Sequence, residues 1–264
     1  MNFHQSFSWR RGWRRAALLL GLFAAAPALA YVPPVGAILR RLGQKREELA
    51  LQSLEVRGTL LLHGAPARAA SQSTGLALAG EELSVPALLS FKMPGRCRIE
   101  LVPPQTREAD RPVIVSKSRK VTGFKGLERV PAAVSLVQGL CATIGEHPTG
   151  ATPEHTYAEA FGHLGVSLTD VHFGRFAGRI AYVVGGRPAE AKPEAWIDKQ
   201  TYQPIRLMSG PANALVDVRL LDYGSPAGGD WFPRAVEVYQ GADLQARFTT
   251  EKASANPKVA DSLF

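Results

Sequence analysis

The sequence predicts a mainly β (α+β) protein: one curved antiparallel sheet of about ten to twelve strands, closing partly or fully into a barrel, with a few helices. Three observations predict it. Short runs rich in Val, Ile, Phe, Tyr and Trp recur along most of the 264 residues, with Gly, Pro, Asn and Asp between them. Consecutive runs lie close in sequence, which makes an antiparallel meander the economical topology. Within the runs, apolar and polar residues alternate: Val216, Val218 and Leu220 against Asp217 and Arg219, then Leu244, Ala246 and Phe248 against Gln245, Arg247 and Thr249. One face is therefore apolar and the other wet, and a twisted sheet of this width curls with the apolar face inward.

The elements follow in chain order. Residues 1–30 combine a head with four arginines and no acid, the apolar run "AALLLGLFAAAPALA", and small residues at Ala28 and Ala30. That is the pattern of a secretory signal cut before Tyr31, leaving residues 31–264 as a single exported domain. Arg10-Arg11 and Arg14-Arg15 both fit a basic head, so the export route stays open between the general and the twin-arginine pathway. Removing the segment leaves 27 basic against 23 acidic residues, a net +4. This balance disfavours nucleic acid as a partner and leaves a weak attraction to anionic lipid headgroups.

Val35, Ile38, Leu39, Leu42 and Leu49 recur at helical spacing beside Arg40, Arg41, Lys45 and Glu48, which predicts an amphipathic first helix. "LEVRGTLLLHG" reads as a strand. The small, polar and glycine-bearing stretch that follows reads as a loop insertion over residues 64–82. "ALLSFKMPGRCRIELVPP" is a hairpin turning at Pro94-Gly95, and "RPVIVSKSRKVTGFKG" supplies two more strands. Two helices interrupt the sheet: one behind Pro131, with Val134, Val137, Leu140, Cys141 and Ile144 on one side, and one behind Thr152 and Pro153. From Val166 onward the chain is strands and turns.

Motifs for chemistry are sparse. There is no Gly-x-Ser-x-Gly elbow, His-Glu-x-x-His, phosphate loop or dinucleotide fingerprint, so no cofactor is expected and an enzyme is the third choice of function. His155, Glu159 and His163 share a helix face, but three ligands spread over more than two turns do not converge on one ion by themselves. Glu194 with Asp198, and Asp217 with Asp222, read as surface charges rather than as an acid and base pair. Arg206 and Arg234 read as cations that reach solvent from apolar strands. Cys97 and Cys141 are either a disulfide or two buried thiols, the spacing being unlike a zinc site.

Late in the chain, "AWIDKQTYQPIRL" (195–207), "DYGSPAGGDWFPRAVEVY" (222–239) and "NPKVADSLF" (256–264) carry Trp-x-Asp-x-x-Thr-x-x-Pro, Gly-x-Trp-Phe-Pro and Asn-Pro patterns. In this order they resemble the LolA-like group of periplasmic outer-membrane lipoprotein carriers and lipoprotein-sorting proteins, with the first half similar in layout only. The resemblance implies an incomplete antiparallel barrel plugged by helices, and an apolar cavity for acyl chains of lipoproteins or lipids. It also implies a periplasmic monomer working between an inner-membrane donor and an outer-membrane acceptor, with no catalytic step. A non-transporting lipid- or protein-binding domain of the same fold is the alternative. Strand alternation then nominates Trp196, Ile205, Leu207, Val216, Val218, Phe232 and Phe248 for the interior or its rim, subject to a one-residue register step that would exchange the faces. The resemblance places no latch arginine by motif.

Overall fold

The computed structural model describes residues 31–147, 152–187 and 190–264; the expected signal segment lies outside the described residues. Twelve strands form one sheet in which every neighbouring pair is antiparallel. The chain starts at the centre of this sheet with β1 (Ser53–His63) and moves outward through β2 (Glu82–Lys92), β3 (Arg96–Leu101) and β4 (Val113–Lys117) to β5 (Lys120–Phe124). It then crosses to the opposite edge, β6 (Val171–Phe176). From there it returns through β7 (Arg179–Gly185), β8 (Glu194–Asp198), β9 (Pro204–Ser209), β10 (Val216–Leu221) and β11 (Ala235–Gln240) to β12 (Asp243–Ala255), which pairs with β1. The first and last strands are thus the middle of the sheet, and β5 and β6 are its two unpaired edges. The barrel is open.

Four helices are described, all associated with the apolar face. The first, α1 (Val35–Glu48), buries Val35, Ile38, Leu39 and Leu42, the stripe expected from their spacing. Where a loop is expected from residue 64, the chain forms a second helix, α2 (Gly64–Thr74). Its alanines are strong helix formers, and Pro66 sits in the first turn, where its missing N–H costs nothing. Ser73 and Thr74 donate their hydroxyls to the carbonyls of Ala69 and Ala70, and Gly75 closes the helix in the left-handed region, with its N–H on Ser71 O. A search for large apolar residues at helical spacing misses such a segment, because the side it buries is only Pro66, Ala67 and Ala70. The third helix, α3 (Pro131–Leu140), runs into a π-helical turn, Cys141–Gly145, and the fourth, α4 (Pro153–His163), packs on α1. That crossing is close: a Cβ on Gly43 would lie 2.3 Å from Pro153 Cβ.

The core has two parts. Under α2 and α3, inward residues of β1–β4 and β10–β12 interlock; under α1 and α4, a second cluster gathers Tyr157, Phe161, Tyr182, Val184, Ile197 and Leu207. Cross-strand register shows how directly alternation builds this: Leu60, Phe248, Val236 and Leu220 form one row across four strands, all fully buried. At the centre of the sheet β1 slips by one residue against β12 between Arg57 and Gly58. A side chain at Gly58 would meet Thr249 O at 2.1 Å and the Phe248 ring at 2.7 Å. Gly58→Ala is therefore expected to cost about 1–3 kcal/mol, as overpacking does. A denaturant midpoint equal to that of the unsubstituted chain would contradict the close approach.

Candidate functional site

The inward face is filled where the barrel interior was expected. Ile205, Leu207, Val218, Phe232 and Phe248 are each at most 2% exposed and pack as core, with Phe232 lying between the Phe91 and Phe248 rings at 5.9 and 6.1 Å. Trp196 departs from the expectation altogether. It pairs with Val183 and Arg206 in register, a row opposite in parity to inward Ala195 and Ile197, so it sits on the outer face. There its indole N–H donates to Glu194 at 2.9 Å, and the Arg206 guanidinium stacks 5.0 Å from the ring. Gly174 makes room for it, since a Cβ there would approach the indole to 2.4 Å. The register step separating Trp196 from Ile197 is visible only in the paired sheet, where the ladder shifts between these two residues.

Of the seven nominated residues, Val216 borders a groove of about 260 Å³ between α2, α3 and the ends of β10–β12. Ala69 of α2, Pro131 and Ala132 of α3, and Val216 and Val238 of the sheet form its apolar walls, and Gln240 and Gln245 lie at a polar side. The volume exceeds the roughly 150 Å³ of an apolar cavity that admits benzene. The geometry suits a ligand with an apolar part and a polar end.

The two helices beside this groove are held very differently. α3 buries Leu136, Val137 and Leu140, each contributing roughly 1.5–3 kcal/mol, and Gly139 brings it close against Val218. Its end is pinned further: Cys141 is bonded to Cys97 of β3, and Gly95 N donates to Gly145 O at 2.9 Å. α2 buries no side chain larger than proline. Its own side chains therefore contribute less to the core than those of α3.

Arg46 adds a third tie. It lies 3% exposed at the end of α1 and donates to Ile144 O at 3.0 Å and to Trp231 O at 3.4 Å. No ion pair to it occurs among the described residues. A buried cation satisfied by carbonyls joins three segments: α1, the π-helical turn and the loop before β11. It is absent from the candidates that the sequence nominates, although its position carries a signal, because Arg46 falls four residues after Leu42 on the apolar stripe. Tyr157 donates to Glu146 O at 3.2 Å in the same region, and burial pushes its phenol up to about 12.

The acidic residues expected at the surface are largely buried instead: Glu194, Asp198 and Asp217 are 7%, 4% and 5% exposed. Asp217 accepts two bonds from Arg206, at 2.7 and 2.8 Å, and one from Arg219 at 2.8 Å, so Arg206 ends in a fork rather than in solvent, while Arg234 is exposed. Asp198 accepts the N–H groups of Gln200 and Thr201 and so builds the turn of its hairpin. Burial raises the pKa of Glu194 against the bond from Trp196. A carboxyl raised in the fold binds protons more tightly there than in the unfolded chain, so it lowers stability as pH rises above its ordinary 4.5. Glu194→Gln keeps an acceptor for Trp196 and removes that penalty. The variant is expected to unfold at a higher temperature than the unsubstituted chain at pH 7, with the difference vanishing below pH 4.5, where both are neutral. A difference independent of pH would refute the assignment.

Among the described residues, no group of three or more His, Cys, Asp or Glu is placed to hold a metal ion, and Glu159 is bonded to Arg119 at 3.3 Å. Among the same residues, no helix is long and apolar enough to cross a membrane.

No family model and no curated protein matches the chain. Three solved structures are similar to it. A putative outer membrane lipoprotein-sorting protein domain from Vibrio parahaemolyticus has 10% identity and a TM-score of 0.44, over 84% of this chain and 94% of that one. A LolA superfamily protein from Nitrosomonas europaea has 12% identity and a TM-score of 0.46, over 88% and 98%. A DUF1329 family protein from Desulfovibrio piger has 9% identity and a TM-score of 0.41, over 88% and 98%. The fold displayed by the described residues is an open twelve-stranded antiparallel sheet with four helices on its apolar face.

Proposed function

We propose that the protein is an exported, non-catalytic carrier that takes up the acyl chain of a lipid or lipoprotein through the groove between α2 and α3 and carries it towards the outer membrane. The observation that carries this reading is an apolar groove one of whose walls, α2, buries only small side chains of its own. Displacing α2 uncovers inward side chains of β1, β2 and β12, the strands it covers, and an acyl chain then shields them from water in its place. Each buried methylene contributes about 0.8 kcal/mol, so an acyl chain lying on these strands offsets the exposure that displacing α2 causes. Of the nominated residues, Val218, Phe232 and Phe248 belong to the packed core under α2 and α3, and Val216 touches the ligand. The arginine-rich, apolar leader supports export to the periplasm with cleavage before Tyr31. There it works as a monomer between a membrane donor and an acceptor, without a cofactor.

The test is to purify the full chain from an exporting host and extract what travels with it for mass spectrometry. Acylated molecules at a fixed ratio to protein are expected, and they should be depleted in a variant whose groove is blocked. Recovery of none, together with no saturable binding of a fluorescent fatty acid, would favour a non-transporting protein-binding domain of the same fold.

A further inference from the structure

We propose that the outer face of β2–β4 is a docking seat for an extended acidic polypeptide segment of a partner, and that residues 257–264 of the chain occupy this seat until the partner displaces them. Lys92, Arg96, Arg98 and Lys117 project from three adjacent strands with the parity opposite to inward Phe91, Cys97, Ile99 and Ile114. Register puts Lys92, Arg96 and Lys117 directly side by side. The nearest acid of the sheet, Glu100, is taken already: Arg98 and Arg111 each donate to it at 2.8 Å. Arg98 is thereby partly neutralised, so Lys92, Arg96 and Lys117 are the cations left for a segment, and the one lying on them brings a single acidic side chain.

The segment shows what the seat recognises. The chain turns at Asn256, whose side chain accepts the N–H of Gln52 at 2.7 Å, and Pro257 O accepts the Ser53 hydroxyl at 2.7 Å. Beyond this anchor the contacts are cation to carbonyl or cation to carboxylate. Lys92 donates to Val259 O at 3.3 Å and pairs with Asp261 at 2.9 Å, and Arg96 pairs with the same carboxylate. Arg98 donates to Leu263 O at 3.1 Å, and Lys117 to Phe264 O at 3.2 Å. The donors thus follow a main chain across three strands and read one acidic side chain on the way. The attachment is weak, because the turn Asp261–Leu263 buries no residue and the Asp261 side chain is 71% exposed; exposed pairs of this kind contribute little. A segment with several carboxylates offers these cations more than the resident one does, and an extended chain with acidic side chains is the chemistry that fits both the carbonyl and the carboxylate contacts.

The experiment uses the full chain and a dye-labelled, Asp-rich octapeptide, followed by fluorescence anisotropy at low salt. The unsubstituted protein is expected to bind it weakly, with amide exchange rising in residues 258–264 as the peptide is added. Asp261→Asn, which loosens the resident segment from Lys92 and Arg96, is expected to bind about fivefold tighter. Arg96→Glu and Lys117→Glu, introduced separately into Asp261→Asn, are each expected to abolish binding while leaving the thermal midpoint close to that of the parent. Equal binding by the unsubstituted chain and Asp261→Asn, binding that survives both charge reversals, or binding of anionic vesicles in place of the peptide would overturn the proposal.

Discussion

Replacing Cys97 and Cys141 by alanine is expected to lower stability by about 4 kcal/mol, the loss that chain entropy gives for a loop of this length. The two residues are 44 apart in sequence, with Cα atoms 5.7 Å apart, and the loop they close contains β4, β5 and α3. The bond fastens the end of α3 to β3 at the one place where the helix leaves the sheet. The effect should therefore be local as well as global: amide exchange in Cys141–Gly145 should rise more than in β10–β12. Guanidinium unfolding of the double variant, compared with the oxidised chain, measures the first part. A midpoint unchanged in the variant would mean that hydrogen bonds from Gly95 and Arg46 alone fix the turn. Reductant should shift the midpoint of the unsubstituted chain and leave the double variant where it is.

Phe232→Ala is expected to cost about 3–5 kcal/mol, the range for removing a large aromatic from a packed core. The residue belongs to no strand. It stands in the connection between β10 and β11, yet it is fully buried against Phe91 and Phe248, two rings that belong to β2 and β12. Its removal would free the connection that also presents Trp231 O to Arg46. Urea unfolding of the variant reads the magnitude. A cost below about 1 kcal/mol would show that Phe232 lines empty space rather than a filled interior.

Phe248 and Phe232 also mark the line between what the sequence makes legible and what it hides. Alternation in β10 and β12 identifies Val218, Leu220, Ala246 and Phe248 as one apolar face, and proximity of the runs gives the antiparallel meander. Helix spacing identifies α1 and α3. What stays hidden is everything that depends on register or on partners far along the chain. Trp196 and Ile197 differ in face by a single step of the ladder. Asp217 reads as a wet-side charge, and only the pairing of β9 with β10 brings Arg206 over it. α2 escapes detection because it buries alanines and a proline rather than large apolar side chains at helical spacing. The seat for residues 257–264 is invisible for a similar reason: Lys92, Arg96, Arg98 and Lys117 are ordinary alternating strand cations until three strands align them.

Arg46 offers a separate check on the ties around the groove. Arg46→Met leaves the carbonyls of Ile144 and Trp231 without this donor, so stability is expected to fall by about 1–3 kcal/mol while amide exchange of Cys141–Gly145 increases. A large drop in stability with no change in exchange would place the residue in the core's energetics rather than at a joint.

The central claim is that an apolar chain enters between α2 and α3, and titration of the full protein with a fluorescent fatty acid tests it most directly when Ala69→Trp is measured alongside. Ala69 is a half-buried wall of the groove at the edge of the core, and a large side chain there fills the groove. Saturable binding by the unsubstituted chain, weakened at least about tenfold in Ala69→Trp at unchanged thermal stability, is the predicted result, equivalent to about 1.4 kcal/mol. Equal binding by both proteins, or none by either, would contradict it.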